Sequence, residues 1–116
     1  MPAALVRTSR FLADYREIAL RIGNENPEAV ERICDALEQS LDLLTQHPQI
    51  GCLAGFSSAP QVRRWVLQPF PNYIIYCEAH SGEVLLVRLL HGARDVQAVF
   101  RHERQSATSG KAGGLK

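Results

Sequence analysis

Apolar residues near the start of the chain recur with the period of an α-helix. They are Phe11, Tyr15, Ile18, Ala19 and Ile22. Their spacing places them on one side of a helix, while charged residues such as Asp14 and Arg16 are predicted to face solvent. Thr8 and Ser9 carry hydroxyls that can accept the free N–H groups of a first turn, so the helix is predicted to begin there. Gly23 and Asn24 are typical of its end.

A second helix is predicted to begin at Asn26-Pro27-Glu28. Asparagine is a favourable cap, proline needs no N–H in the first turn, and an acid suits the positive end of the helix dipole. The apolar stripe that follows is Val30, Ile33, Cys34, Leu37, Leu41 and Leu44. Pro48 ends it. A link of three or four residues would make the two helices an antiparallel hairpin with one apolar side to cover.

The second half of the chain predicts a β-sheet. Residues 49–60 are rich in glycine, serine and proline and are predicted to be a loop. The β-prone runs 62–67, 73–77 and 83–90 are separated by short turn sequences, which favours an antiparallel meander. The run 83–90 is apolar on both faces, which predicts a central strand.

These elements predict an α+β fold in the order β-α-α-β-β-β. Leu5 and Val6 form an added short strand, the helical hairpin packs on one face of a curved antiparallel sheet, and residues 93–104 form a short C-terminal helix. Residues 1–105 make a single domain. Residues 106–116 are small, polar and glycine-rich, which is typical of a flexible tail.

Composition narrows the possible functions. The 116 residues contain no apolar run of roughly 20 residues and no secretory leader, which indicates a cytoplasmic protein without a membrane partner. Three cysteines without a CxxC spacing give no reason to expect a disulfide, a metal or another cofactor. Residues 8–47 contain four arginines and eight acidic residues, and the net charge of +1 is low for a nucleic-acid binder.

Four arginines and one histidine are concentrated near the predicted strand ends. They are Arg63, Arg64, Arg88, His91 and Arg94. Arg88 interrupts an apolar strand, where an unpaired charge is costly. A structural pair with Glu78, Glu83 or Asp95 would satisfy it, and so would a carboxylate or phosphate of a partner. His91 can act either as a hydrogen-bonding structural residue or as a general base.

Several sequence segments together resemble the ParE/RelE superfamily of bacterial toxins. They are the NPEAVERI helix, the P-x-x-G loop at Pro48 to Gly51, the VRRWVLQPFPNYIIYC hairpin and the VLLVRLLHGARDVQAVF ending. The resemblance covers residues 3–103. Its most specific part is RLLHGARD, Arg88 to Asp95, which is similar to the R-V-L-H-G-x-R-D signature of ParE-like members.

The resemblance implies the toxin of a type II toxin–antitoxin system, held inactive by an antitoxin whose C-terminal segment wraps across the hairpin and the sheet. ParE-type members inhibit DNA gyrase by binding it. RelE-type members cut messenger RNA on the ribosome with basic residues and, often, a tyrosine near the C-terminus. The matching arginine is Arg94, but the tyrosine position holds Phe100, whose ring has no hydroxyl to move a proton.

The ParE-type function is therefore favoured, and the protein is expected to act by binding rather than as an enzyme. Expected partners are DNA gyrase and a ParD-like antitoxin encoded upstream, in a hetero-oligomer, with no direct DNA binding by the toxin alone. The alternatives are a ribonuclease using Arg64, Arg88, His91 and Arg94, and an inactive antitoxin-bound homologue. The candidate target-binding residues are Arg63, Arg64, Arg88, His91, Arg94 and Phe100, and the candidate antitoxin contacts are Phe11, Tyr15, Ile18 and Trp65.

Overall fold

The computed structural model describes residues 2–92, in which two helices follow one strand and precede four others. The elements are β1 (Ala4–Arg7), α1 (Ser9–Glu25), α2 (Pro27–Gln46), β2 (Cys52–Leu53), β3 (Arg63–Val66), β4 (Tyr73–His80) and β5 (Glu83–His91). The order is the predicted one, with β2 added inside the stretch predicted to be a loop. The predicted C-terminal helix over 93–104 and the tail 106–116 lie outside the described residues.

The helices meet at a single residue. α1 continues past Gly23, and Asn26 alone separates it from α2, so the predicted link of three or four residues was wrong. Asn26 is extended, with φ of −154°, as expected for a residue before proline. Its N–H donates to the Ile22 carbonyl at 2.7 Å, and its own carbonyl accepts from the Ala29 N–H at 3.0 Å. One residue therefore ends one helix and begins the next.

The sheet has the order β1-β5-β4-β3-β2. Strands β3 to β5 form the predicted antiparallel meander, and β2, which was not predicted, pairs antiparallel to β3. β1 pairs parallel to β5, from Ala4 opposite Glu83 to Arg7 opposite Leu86, so the complete sheet is mixed. β5 lies between β1 and β4, which confirms its central position.

Apolar side chains cover both faces of the sheet. On one face the helices contribute to the larger core, whose members are Phe11, Ile18, Ala36, Leu37, Leu41, Leu44, Leu67, Ile75, Cys77, Val84, Leu86 and Leu89. Alternate residues along β4, Ile74 and Tyr76, belong to a second cluster with Phe56, Ala59, Val62 and Leu90. Because adjacent strand residues face opposite sides, the segment containing Phe56 and Ala59 packs on the face away from the helices.

A β-bulge changes the register in the middle of β5. Tyr76 lies opposite Arg88, whereas Cys77 lies opposite Leu86, so Val87 is the extra residue. The bulge interrupts the period of two. Leu86 and Leu89 both enter the helix-side core although they are three residues apart. Arg88 consequently lies beside Tyr76 on the neighbouring strand.

Gly51 lies directly against the backbone of β3. A Cβ atom placed on it would lie 2.6 Å from the Arg64 carbonyl oxygen, which is backbone and cannot swing aside. The Arg63 guanidinium donates to the Gly51 carbonyl at 2.8 Å and holds the loop from the other side. The glycine of the P-x-x-G segment is thus required by the contact between the loop and β3.

We expect Gly51→Ala to lower the free energy of unfolding by about 1–3 kcal/mol, because the added methyl group must push two backbones apart. The matched control is Gly23→Ala in α1, where a Cβ would make an ordinary contact of 3.4 Å with Val30. That substitution should raise the free energy of unfolding by about 0.5–1 kcal/mol through helix propensity. Urea unfolding measures both, and a Gly51→Ala variant as stable as the parent would contradict the packing argument.

Cys77 is a buried thiol in the helix-side core. Burial raises the pKa of Cys77 from its ordinary value of 9.0 to about 11, with Arg63 opposing the rise and Glu78 adding to it. The folded chain therefore keeps this proton at a pH where the unfolded chain has released it. The stability that the thiol contributes is complete below about pH 9 and is lost as the pH rises to about 11.

Urea unfolding at a series of alkaline pH values tests this. We expect the free energy of unfolding to fall between about pH 9 and about pH 11 in the parent protein, and to fall less steeply in Cys77→Ala. Cys52→Ala, at an exposed cysteine, is the control and should keep the parental slope. Equal slopes in Cys77→Ala and the parent would show that another group governs the alkaline loss.

Candidate functional site

Arg88 is bound by a carboxylate of α1. Its Nε donates to Asp14 Oδ2 at 2.7 Å and its Nη2 donates to Asp14 Oδ1 at 3.0 Å, the paired geometry that arginine and carboxylates favour. Arg88 is only 7% exposed. The pairing partner is not one of the three acids considered from the sequence, and Asp14 does not face solvent as the helical period predicted.

Asp14 also completes the edge of the sheet. β1 pairs with β5 only as far as Leu86, so among residues 2–92 no strand lies beside the next part of β5 on that side. The Leu89 N–H donates to Asp14 Oδ2 at 3.0 Å, and the Thr8 hydroxyl donates to the Leu86 carbonyl at 2.7 Å. Thr8 also caps α1 by accepting from the Phe11 N–H at 3.2 Å. Side chains of the first helix thus replace the missing strand.

Tyr76 lies between two of the predicted arginines. It is opposite Arg64 on β3 and opposite Arg88 on β5. It is 2% exposed, and its ring lies 5.7 Å from that of Phe56. Burial raises the pKa of the phenol, and Arg64 opposes the rise by its charge and a hydrogen bond. Sequence reasoning missed Tyr76, because only the strand register brings it between the two arginines.

Arg64, Tyr76 and Arg88 form a row across three adjacent strands. The other candidate residues lie outside this row. The Arg63 guanidinium contacts the backbone carbonyls of Gly51 at 2.8 Å and Gln49 at 3.4 Å, which gives it a structural role in the loop. His91 packs edge-on against Tyr73, with ring centroids 5.2 Å apart. Arg94 and Phe100 lie outside the described residues. The structure therefore brings Arg64 and Arg88 to either side of Tyr76, whereas Arg63 contacts the loop at Gly51.

The space beside the Asp14–Arg88 pair is small. A cavity of about 10 Å³ lies between α1 and the end of β5, and its lining residues are Asp14, Glu17, Ile18, Arg21, Leu89, Leu90 and His91. This volume is of the order needed for one water molecule. It cannot admit a nucleotide base.

The residues expected to contact an antitoxin belong mainly to the core. Phe11 and Ile18 are buried between α1 and the sheet, because the apolar stripe of a surface helix faces the sheet it covers. Tyr15 hydrogen-bonds Cys34 Sγ at 2.7 Å, and the Trp65 indole N–H donates to Ser40 Oγ at 3.4 Å. Phe11 and Ile18 are therefore unavailable as surface contacts. Large apolar side chains that are exposed within residues 2–92 are Leu12, Leu20, Ile50 and Leu53.

Residues 2–92 show neither a metal-binding cluster nor a membrane-spanning helix. These residues contain no group of three histidine, cysteine, aspartate or glutamate side chains arranged to hold a metal ion. No helix among them is long and apolar enough to cross a membrane.

Comparison with known proteins assigns the chain to a family. Residues 5–96 match the protein family described as the ParE toxin of the type II toxin–antitoxin system, parDE. This chain belongs to the ParE toxin family of type II toxin–antitoxin systems. It is also 35% identical over 92 residues to Toxin RelE2 of Caulobacter vibrioides, a match that covers 79% of this chain and 98% of that protein.

A solved structure supports the fold assignment. The chromosomal ParDE system from P. aeruginosa superposes with a TM-score of 0.63 at 21% sequence identity, covering 77% of this chain and 95% of that chain. The family match includes Arg88, His91 and Arg94, while Phe100 lies beyond its last residue. Relatives named ParE and RelE both resemble this chain, so the choice of target depends on the site.

We expect Asp14→Ala to lower the free energy of unfolding by about 3–5 kcal/mol, because it removes the two hydrogen bonds that Asp14 accepts from the buried Arg88 guanidinium and the acceptor of the Leu89 N–H. Asp35→Ala on the exposed side of α2 is the control and should change stability by about 0.5 kcal/mol or less. Urea unfolding measures both variants. Similar losses in the two would mean that the Asp14–Arg88 pair does not hold α1 on the sheet.

Proposed function

We propose that this toxin inhibits DNA gyrase by binding to it, without catalysing a reaction, and that a ParD-like antitoxin neutralises it. The observation that best supports this proposal is the Asp14–Arg88 pair. Nε and Nη2, along one edge of the guanidinium, donate to the Asp14 carboxylate, and the Arg88 side chain is buried. The signature arginine therefore serves the fold, where a ribonuclease would need it on a phosphate.

Ribonuclease chemistry needs cations on the scissile phosphate and a group that moves a proton. Arg64 and Arg88 flank Tyr76, but Tyr76 is buried and burial raises the pKa of its phenol. Among residues 2–92, the cavity that His91 lines has a volume of about 10 Å³, which is too small for a nucleotide. These features oppose RNA cleavage by this row of residues.

The outer surface of α2 also favours a protein target. Its exposed acids recur every three or four residues and are Glu28, Glu31, Asp35, Glu38 and Asp42. Spacings of three and four place them on one side of the helix. A continuous row of carboxylates repels an RNA backbone.

A ribosome-dependent ribonuclease is the second candidate, because the 35% identity to Toxin RelE2 favours it. An inactive, antitoxin-bound homologue is the third. The antitoxin itself is expected to cover apolar surface, and Leu20 is 63% exposed on α1. Leu12 and Leu20 replace Phe11 and Ile18 as the proposed contacts on this helix.

A supercoiling assay with purified gyrase tests the proposed target. We expect micromolar toxin to inhibit supercoiling or to trap cleaved DNA, and we expect messenger RNA on translating ribosomes to stay intact. The upstream gene product, added before gyrase, should restore supercoiling. Active gyrase together with cleaved messenger RNA would establish the ribonuclease instead. Active gyrase, intact messenger RNA and normal growth on induction without antitoxin would establish the inactive homologue.

A further inference from the structure

The beginning of the chain holds the end of α2 beside the turn between β4 and β5. The Ala3 N–H donates to the Thr45 carbonyl and the Ala4 N–H donates to the Gly82 carbonyl, both at 2.8 Å. Because Ala3 and Ala4 are consecutive, the two carbonyls are bound to neighbouring backbone groups. The end of α2 and the β4–β5 turn are therefore close to each other in space.

A cavity of about 560 Å³ lies between these two segments. Its lining residues are Gln46, His47, Pro48, Gln49, Ile50, Ala79, His80 and Ser81. Each segment contributes one imidazole, His47 directly after α2 and His80 at the end of β4. The cavity thus has two histidines among its walls, one on either side.

His80 is held in one orientation by a carboxylate. Its Nε2 hydrogen-bonds Glu78 Oε1 at 2.9 Å, and the second oxygen, Glu78 Oε2, accepts from the Gln61 side-chain amide at 3.1 Å. Because an ionised carboxylate only accepts hydrogen bonds, the neutral His80 ring carries its proton on Nε2 and has a lone pair on Nδ1. In the same way, carboxylates orient histidines that bind metal ions.

Ring nitrogens of both histidines are available to a ligand. Within residues 2–92, Nδ1 of His80 makes no hydrogen bond, and the His47 ring makes neither a hydrogen bond nor an ion pair. The backbone of His47 is nevertheless fixed. Its N–H donates to the Leu43 carbonyl and its carbonyl accepts from the Ile50 N–H, both at 2.9 Å. The cavity therefore offers two nitrogen ligands on backbone that hydrogen bonds hold in place.

The electrostatic environment of the cavity favours a cation. The C-terminus of a helix carries the negative end of the helix dipole, and the last turn of α2 contains no basic residue to compensate it. Within residues 2–92, neither arginine nor lysine lines the cavity. A divalent ion placed between the two imidazoles therefore meets no permanent positive charge from the lining residues.

We propose that His47 and His80 bind one divalent metal ion of the group that prefers imidazole ligands, Zn²⁺, Ni²⁺ or Cu²⁺. The ion joins His47 to Nδ1 of His80, Glu78 orients the His80 ring, and water completes the coordination. The site has two protein ligands, one fewer than the groups of three that residues 2–92 lack. The bound ion links the end of α2 to the β4–β5 turn, and its binding does not depend on the proposed target.

Titration of the isotope-labelled full chain with Zn²⁺ tests the site by NMR, at a slightly alkaline pH where imidazole is neutral. Before zinc is added, we expect the His80 ring to carry its proton on Nε2. On addition, ring nitrogen resonances of both His47 and His80 should shift, with saturation at one zinc ion per chain. Mg²⁺, which prefers oxygen ligands, should leave both rings unchanged.

Calorimetry with four variants assigns the ligands. Glu78→Gln should weaken zinc binding about tenfold, a loss typical of a carboxylate that orients a metal ligand. His47→Gln and His80→Gln should each weaken it further, because each removes one of the two protein ligands. Both histidines are exposed, so these variants should fold. Cys52→Ala removes an exposed thiol outside this cavity and should leave the affinity unchanged.

Unchanged ring resonances, equal effects of Zn²⁺ and Mg²⁺, or parental affinity in either histidine variant would overturn the proposal. Parental affinity in Glu78→Gln would contradict the orienting role of the carboxylate. Weaker binding in Cys52→Ala would place the ion on the thiol and contradict the histidine site. Zinc binding by a toxin that leaves gyrase active supports the site and contradicts only the proposed target.

Discussion

The pair between Asp14 and Arg88 fixes how the first helix sits on the sheet. β1 is too short to cover β5, and β5 carries a guanidinium that must be neutralised. One carboxylate meets both needs, because Asp14 binds the guanidinium twice and accepts the Leu89 N–H. With Asp14 held there, Phe11 and Ile18 lie against the sheet and the hairpin closes the core.

This arrangement changes the meaning of the arginine cluster. Arg63 holds the loop at Gly51, and Arg88 holds α1. Arg64 differs from both, because it lies beside Tyr76 and lines a cavity next to β3. In the proposed mode of action by binding, the exposed leucines of α1 and the acidic side of α2 therefore matter more than the row of arginines.

The local sequence pattern was sufficient to predict the helices and strands, because these elements depend on contacts between residues that are close in the chain. The helical period located both helices and their apolar stripes, and turn residues separated the strands of the meander. The helical period gave the wrong environment for Asp14. A period of 3.6 residues places that carboxylate on the outer side of α1 and carries no information about Arg88, which is 74 residues away. It failed again at the link between the helices, where the extended conformation imposed on Asn26 by Pro27 made further loop residues unnecessary.

The sequence by itself determined the family and the order of the elements, since periodicity, caps and the RLLHGARD segment are properties of neighbouring residues. Tertiary structure decided which charged groups meet. The bulge at Val87 set Arg88 beside Tyr76, and the end of β1 left room for Asp14. Each depends on where one strand stops relative to another, which is fixed by packing across the sheet and not by the residues on either side in the chain.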